Sequence, residues 1–286
     1  MSNKILMVLG MHRSGTSMIA QWLYRCGLHV GDRLLGPGKN NADGHFEDLD
    51  FVELHTKILQ AHGLPESGLT DCAPRHLTDQ EIEQIKELVE SKKGQNDQWG
   101  WKDPRTCLFL ETYRQMTGND IKYLIVLRDY KIVIHSLFIR DFILFEKNVT
   151  KGFGRKRKFM WRMIKRNYYF KKLYKEKTAF YLRVWMRYNK ALLQHIQAID
   201  EDDFILINYQ TLLNNQKSVY EYLTGNWSFN MNCFDFCKIY KDHLTTKKDE
   251  VDEFMKDKSL MQQANKLFNE LTQYEFAVFE PAREAI

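Results

Sequence analysis

The chain has 286 residues, 44% of them hydrophobic and 28% charged, with a mean hydropathy of −0.50, enough to bury a full core as one large domain or one domain with an insertion. No apolar run reaches the roughly 18 residues needed to span a bilayer, and the opening residues lack the features of a signal peptide, so a cytoplasmic location is expected. The formal charge of +5 is uneven: residues 151–177 hold twelve Lys or Arg against Glu176 alone, a net of +11, which leaves the remainder at about −6.

Apolar, β-branched runs recur along the chain. The first is KILMVL (4–9), followed by a helical stripe of Ile19, Trp22, Leu23 and Cys26. A loop rich in Gly, Asn and Asp occupies 36–46. Thr78 and Glu81 form a capping box that opens a helix with Ile82, Ile85, Leu88 and Val89 on its buried side. The second run, QWGW (98–101), precedes Leu108, Leu110 and Tyr113 at helical spacing. The third, KYLIVL (122–127), precedes Ile132, Val133 and Leu137, and the fourth is DFILINY (203–209). Strands alternating with helices predict a parallel sheet built from βαβ units. Between about 148 and 180 the chain turns basic and aromatic, which predicts either a mobile excursion from the sheet or a helix with one cationic face. The last 50 residues read as packing helices.

Five cysteines, Cys26, Cys72, Cys107, Cys233 and Cys237, are an odd number in a chain without a secretion signal, so free thiols are expected. Cys233, Cys237 and His243 lack a second ligand pair at zinc-site spacing, and no metal site is expected.

The first strand runs into Gly10-Met-His-Arg-Ser-Gly15, a P-loop frame, but Thr16 stands where a nucleoside triphosphatase carries its lysine. A strand, a glycine loop and a helix N-terminus place backbone N–H groups around one spot that attracts anions. Arg13 supplies a cation from within the loop, and Ser14, Thr16 and Ser17 supply hydroxyls. This suits a smaller anionic group than a triphosphate. Arg128 ends the third strand, and Ser136 follows about two turns into the next helix. Both then lie at the carboxyl edge of the sheet, where ligands of open α/β sheets bind. A second phosphate is a natural partner for such an arginine.

These motifs resemble those of the sulfotransferases that use 3′-phosphoadenosine 5′-phosphosulfate (PAPS). Arg13-Ser14-Gly15-Thr16-Ser17 is similar to the family's 5′-phosphosulfate loop, in the arginine form typical of carbohydrate and bacterial members. Arg128 and Ser136 match its 3′-phosphate motif. The segments VWMRYNKALL and ILINYQTLL (184–213) resemble the family's later helix and strand. The Arg-Lys-Gly segment of the cytosolic class is absent, and cations from 151–177 are candidates to replace it. The resemblance implies an α/β, three-layer P-loop-type fold with a central parallel sheet flanked by helices. It implies one sulfotransferase domain over 1–286, with an excursion at about 148–180. PAPS is then the donor and PAP the product, with no metal required.

Sulfuryl transfer is an in-line displacement in which positioning and charge stabilisation dominate. It needs a cation at the leaving oxygen and a base for the acceptor's proton. Arg13 is the first candidate cation and Lys102, just past the second strand, the next, with Asp103 and Arg105 placed to orient it or to touch the acceptor. Asp43, His45, Glu47 and Asp48 crowd where a loop enters a helix. The resemblance favours a carboxylate base, so Glu47 is chosen with His45 second, while His55, His62 and His135 read as structural or surface residues. The expected acceptor is an alcohol, foremost a sugar hydroxyl of a glycan or glycolipid. The 151–177 segment suggests an anionic membrane surface, the inner one for a peripheral cytoplasmic protein; no nucleic-acid motif accompanies it. Two other readings stay open: a P-loop kinase of small metabolites, and a non-catalytic module that binds anionic glycans or membranes.

Overall fold

The computed structural model describes residues 3–36, 44–74, 76–117, 121–240 and 251–276. Strands β1 (Lys4–Leu9), β2 (Gln98–Lys102), β3 (Ile121–Val126) and β4 (Phe204–Ile207) form one sheet in the order β2-β1-β3-β4, every neighbouring pair parallel. A parallel sheet must be covered on both faces, and these strands are apolar on both. Ile5, Met7 and Leu9 of β1 join Trp99, Trp101, Tyr123 and Ile125 in one core. Leu6 and Val8 join Leu124 and Val126 in the other. Two cores on two faces make three layers, the α/β architecture that the motifs imply.

Helices α1 (Thr16–Arg25), α2 (Leu49–Ala61), α3 (Asp79–Lys93) and α4 (Leu110–Thr117) come before or between the first three strands. After β3 come α5 (Tyr130–Val149), α6 (Arg155–Met160) and α7 (Arg166–Ile196). After β4 come α8 (Tyr209–Glu221), α9 (Val251–Phe254) and α10 (Lys258–Thr272). Helices α1 and α8 cover one face of the sheet, through Ile19, Trp22, Leu23, Leu212 and Val219. On the other face lie α2, α3, α4, α5, α7, α9 and α10. The expected capping box starts α3: Thr78 accepts from the Glu81 N–H while Glu81 accepts from the Thr78 N–H. The fourth strand is shorter than its apolar run because the Asn208 side chain caps α8, accepting from the N–H groups of Gln210 and Thr211. Residues 275 and 276 lie along the edge of β4, where the Phe276 N–H donates to the Leu206 carbonyl.

The basic region is helical, the second of the two expected forms. Helix α5 continues to Val149, a turn leads to α6, and a wide turn of π-helix (Trp161–Lys165) joins α6 to α7. Its aromatic residues account for this. Trp161 is buried and Tyr169 and Phe170 are half-buried, packing on Phe142 and Phe145 of α5. All five cysteines are free thiols. Among the described residues no helix is long and apolar enough to cross a membrane.

Gly100 of β2 pairs with Leu6 of β1, and a β-carbon there would lie 2.2 Å from the Leu6 carbonyl oxygen. Backbone cannot yield as a side chain can, so the two strands would have to part. Gly100→Ala is expected to destabilise the protein by about 2–3 kcal/mol, measured as a lower urea midpoint at constant m-value.

Candidate active site

The sheet reverses its winding at β1: β2 lies on one side of it, β3 and β4 on the other. The crevice beyond the carboxyl ends of such strands is the ligand site of open α/β sheets. Here the loop after β1 occupies it. Gly10 (φ 153°) lets the chain leave the strand where a β-carbon would sit 2.7 Å from the Val126 carbonyl oxygen and 2.8 Å from Thr16 Cγ2. Gly15, left-handed at φ 98°, begins α1 with no side-chain cap. Helix N-termini left in this state carry partial positive charge and N–H groups free for an anion. Between the glycines Arg13 is itself left-handed (φ 68°), an uncommon state for a side-chain-bearing residue and one that concentrates at ligand sites.

The residues expected to hold the two anionic groups converge on this loop. Arg13 Nε donates to Ser136 Oγ at 2.8 Å, and Arg128 Nη1 donates to the Arg13 carbonyl at 2.7 Å. Arg128 is further held over the Tyr209 ring, 5.5 Å from its centroid, yet its buried Nε has no hydrogen-bond partner among the described residues. Arg140, one turn beyond Ser136, brings a third guanidinium, itself paired with Asp141 at 2.7 Å. Burial lowers the Arg13 pKa from its ordinary value, and the charges of Arg140 and Arg128 lower it further. Burial lowers Arg128 as well. The groups remain cations. They form a partly buried positive cluster that an anion would relieve. Arg140 was absent from the sequence reading, although its four-residue spacing from Ser136 puts the two on one helix face.

A second cluster adjoins the first. Lys102 is 1% exposed, and its Nζ donates to Glu47 Oε1 at 2.7 Å and to Ser17 Oγ at 3.2 Å. Burial lowers the Lys102 pKa, and the Glu47 carboxylate opposes that shift. Arg105 Nη1 lies 3.7 Å from Glu47 Oε2, beyond hydrogen-bond range. His45 is half-buried; burial lowers its pKa and Glu47 partly restores it, so the ring favours its neutral form. His12 was not anticipated. Its Nε2 is enclosed without a partner among the described residues, and burial followed by the charge on Arg105 pushes its pKa down to about 3.

Beneath Lys102 runs a buried polar chain. Asp103 accepts from His55 Nδ1 at 2.7 Å, from Arg105 Nη1 at 2.7 Å and from the Arg105 N–H at 3.1 Å, while His55 Nε2 lies 2.8 Å from the Tyr113 hydroxyl. His55 is therefore structural, as expected, and Asp103 orients Arg105. Asp48 turns away from the site. It caps α2 and its carboxylate lies 2.8 Å from Lys92 Nζ, which also binds Asp32 at 2.5 Å and Asp50 at 2.6 Å. The centre of that acidic trio is thus filled by an ammonium. Asp43 and His243 lie outside the described residues.

No family model and no curated protein matches this chain. Among solved structures it is similar to the sulfotransferase domain of the Synechococcus PCC 7002 olefin synthase, with a TM-score of 0.51 and 16% identity over 97% of this chain and 98% of that one. It also aligns with the sulfotransferase domain from the curacin biosynthetic pathway (TM-score 0.48, 15% identity, 96% and 99% covered). A third alignment is with sulfotransferase STF1 from Mycobacterium tuberculosis (0.42, 13%, 89% and 76%). The first similarity places the chain in the sulfotransferase fold.

Burial alone would raise the Asp103 pKa, but the His55 hydrogen bond and the Arg105 charge outweigh it and hold the carboxyl well below the usual range. Its stabilising contribution is then complete above about pH 4, the ordinary aspartate value, and is lost as pH falls through the depressed one. Asp103→Asn is expected to cost about 3–5 kcal/mol at neutral pH. In urea titrations the deficit relative to the parent should stay constant from pH 8 to 5 and shrink below about pH 4.

Proposed function

We propose that this chain is a sulfotransferase that moves a sulfuryl group from PAPS to an alcohol, with a sugar hydroxyl of a glycan or glycolipid as the expected acceptor. The observation that carries the reading is the cluster of Arg13, Arg128 and Arg140, with Ser136, around an uncapped helix N-terminus on a sulfotransferase fold. The residues fit such a donor. Backbone N–H groups of the loop, with Arg13, Ser14, Gly15, Thr16 and Ser17, suit the 5′-phosphosulfate end. Arg128, with its unpartnered buried Nε, and Ser136 suit the 3′-phosphate. PAPS, when bound, supplies the sulfuryl group and departs as PAP.

Glu47 is the proton acceptor in this scheme. Lys102 occupies its Oε1, which fixes the carboxylate and leaves Oε2 to take a proton from the acceptor hydroxyl. Protonation of Glu47 removes the negative charge that had balanced Lys102. The ammonium, already bonded to Ser17 in the first turn of α1, is then available to the negative charge that grows on the loop side. Acid–base and electrostatic roles are thereby coupled through one 2.7 Å contact. Neutral His45 is the second candidate base. Arg13, whose Nε is fixed by Ser136, supplies the cation from within the loop itself.

Calorimetric titration with PAP, Mg-ATP and heparin, together with transfer from labelled PAPS to a panel of glycans and glycolipids, tests the proposal. PAP binding with turnover supports it. A preference for Mg-ATP favours a P-loop kinase, and heparin binding alone favours a non-catalytic module. Arg128→Ala should weaken PAP binding at least about tenfold through loss of a charge-assisted contact; unchanged affinity would remove Arg128 from the phosphate site. Glu47→Gln should slow transfer by about 10²–10⁴ while PAP affinity holds. A rate that survives the substitution would transfer the base role to His45.

A further inference from the structure

Eight large hydrophobic side chains stand exposed among the described residues, and seven of them gather at one place: Ile143 and Leu144 on α5, and Phe159, Met160, Met163, Ile164 and Tyr168 from α6 to the start of α7. Met160, Ile164 and Tyr168 recur at four-residue intervals and so share one side of the helix, with Phe159 and Met163 beside them. Met163 is 69% exposed and Phe159 63%. The support beneath them is firm. Trp161 stacks on Tyr169 at 5.3 Å, Phe142 meets Phe170 at 5.0 Å, and Trp161 Nε1 and Arg166 Nε both donate to Glu146 at 3.0 Å. The apolar cluster is thus the outer surface of a packed helical hairpin.

All twelve cations of 151–177 are exposed, and those from Arg155 to Arg166 lie on the same helical turns as the apolar side chains. Among the described residues only Arg166 of the twelve has an acidic partner, Glu146. We infer that this hairpin tip docks onto an anionic lipid surface, its apolar side chains entering the headgroup boundary and its cations meeting lipid phosphates. Each alternative uses half of the surface. Nucleic acid or a sulfated glycan would satisfy the cations but offers little to Met160, Met163 and Ile164. A second copy of the chain would cover the apolar residues but bring two strongly positive segments together. An anionic bilayer rewards both, as it does for interfacial amphipathic helices. The inference rests on the surface alone and is independent of the sulfotransferase reading.

Flotation of the full chain with vesicles of phosphatidylcholine, or of phosphatidylcholine with 30% phosphatidylglycerol, tests it. Binding is expected only to the anionic vesicles and should weaken as salt rises. Replacing exposed Lys156, Lys158, Arg162 and Lys165 by Gln should lower the partition coefficient about fivefold per cation. Phe159→Ser with Met163→Ser should lower it about tenfold or more with the charge unchanged. All six positions are exposed, so an unchanged melting temperature is the control for folding. Absence of binding to anionic vesicles at low salt overturns the inference. So does vesicle binding indifferent to the Phe159 and Met163 changes, which would leave charge as the only attraction. A dimer that dissociates on Met163→Ser would assign the patch to a second copy instead.

Discussion

Arg128 reaches the carbonyl of Arg13 at 2.7 Å, although the two are 115 residues apart, because β1 and β3 are adjacent parallel strands with Ile5 opposite Ile121 and Leu9 opposite Ile125. That register sets the site. With β1 between β2 and β3, three strand ends open onto one edge, and each delivers a charged residue: Lys102 from β2, Arg13 after β1 and Arg128 after β3. Ser136 arrives on α5, the helix that follows β3. A change of strand order would leave the same motifs without a common focus. The two apolar cores that enforce the order are therefore part of the functional geometry.

Charge is handled in two opposite ways on this edge. Lys102, Glu47, Arg105, Asp103, His55 and Tyr113 form a buried set in which each group has a partner, and such a set is rigid and hard to disturb in part. Beside it Arg13 feels the charges of Arg128 and Arg140, of which only Arg140 has an acidic partner (Asp141) among the described residues, and the buried Arg128 Nε has no hydrogen-bond partner among them. A paired network positions groups, whereas an unbalanced one keeps affinity in reserve for a ligand that supplies the missing charge. Lys92 with Asp32, Asp48 and Asp50 belongs to the first kind and serves the entry to α2.

Local patterns carried much of this into the sequence. Alternating apolar runs and helical stripes gave the strands and the parallel sheet, and the resemblance of the motifs gave the layers. The glycine spacing of the loop, and an arginine placed directly after a strand, brought Arg13, Arg128 and Ser136 together before any coordinates did. Other features depend on contacts between distant segments. Glu47 and Lys102 are 55 residues apart, and no local pattern reports that they meet. Asp48 sits next to Glu47 and has the same chemistry, yet the helix start turns it toward Lys92. The sequence left 148–180 open between an excursion and a cationic helix because its lysines and arginines hide the inward aromatics, of which Tyr174 is the most enclosed. His12 gave no signal at all, since a histidine in a loop reveals its burial only when the chain is folded.

Gly10 has a wider consequence. Its α-carbon lies so near Val126 that a single added methyl would collide with the carbonyl there at 2.7 Å. The loop after β1 therefore rests on the end of β3, backbone against backbone, with no side chain as a spacer. Flexible side chains can stretch to meet ligands of different lengths; peptide groups in contact cannot. The separation between the Arg13 and Arg128 anchor points is in this way a fixed ruler, cut into the main chain. On the proposed reading it would grade nucleotides by the distance between their two phosphate ends. A ligand carrying its charges at another spacing could fill one end of the ruler or the other, but not both.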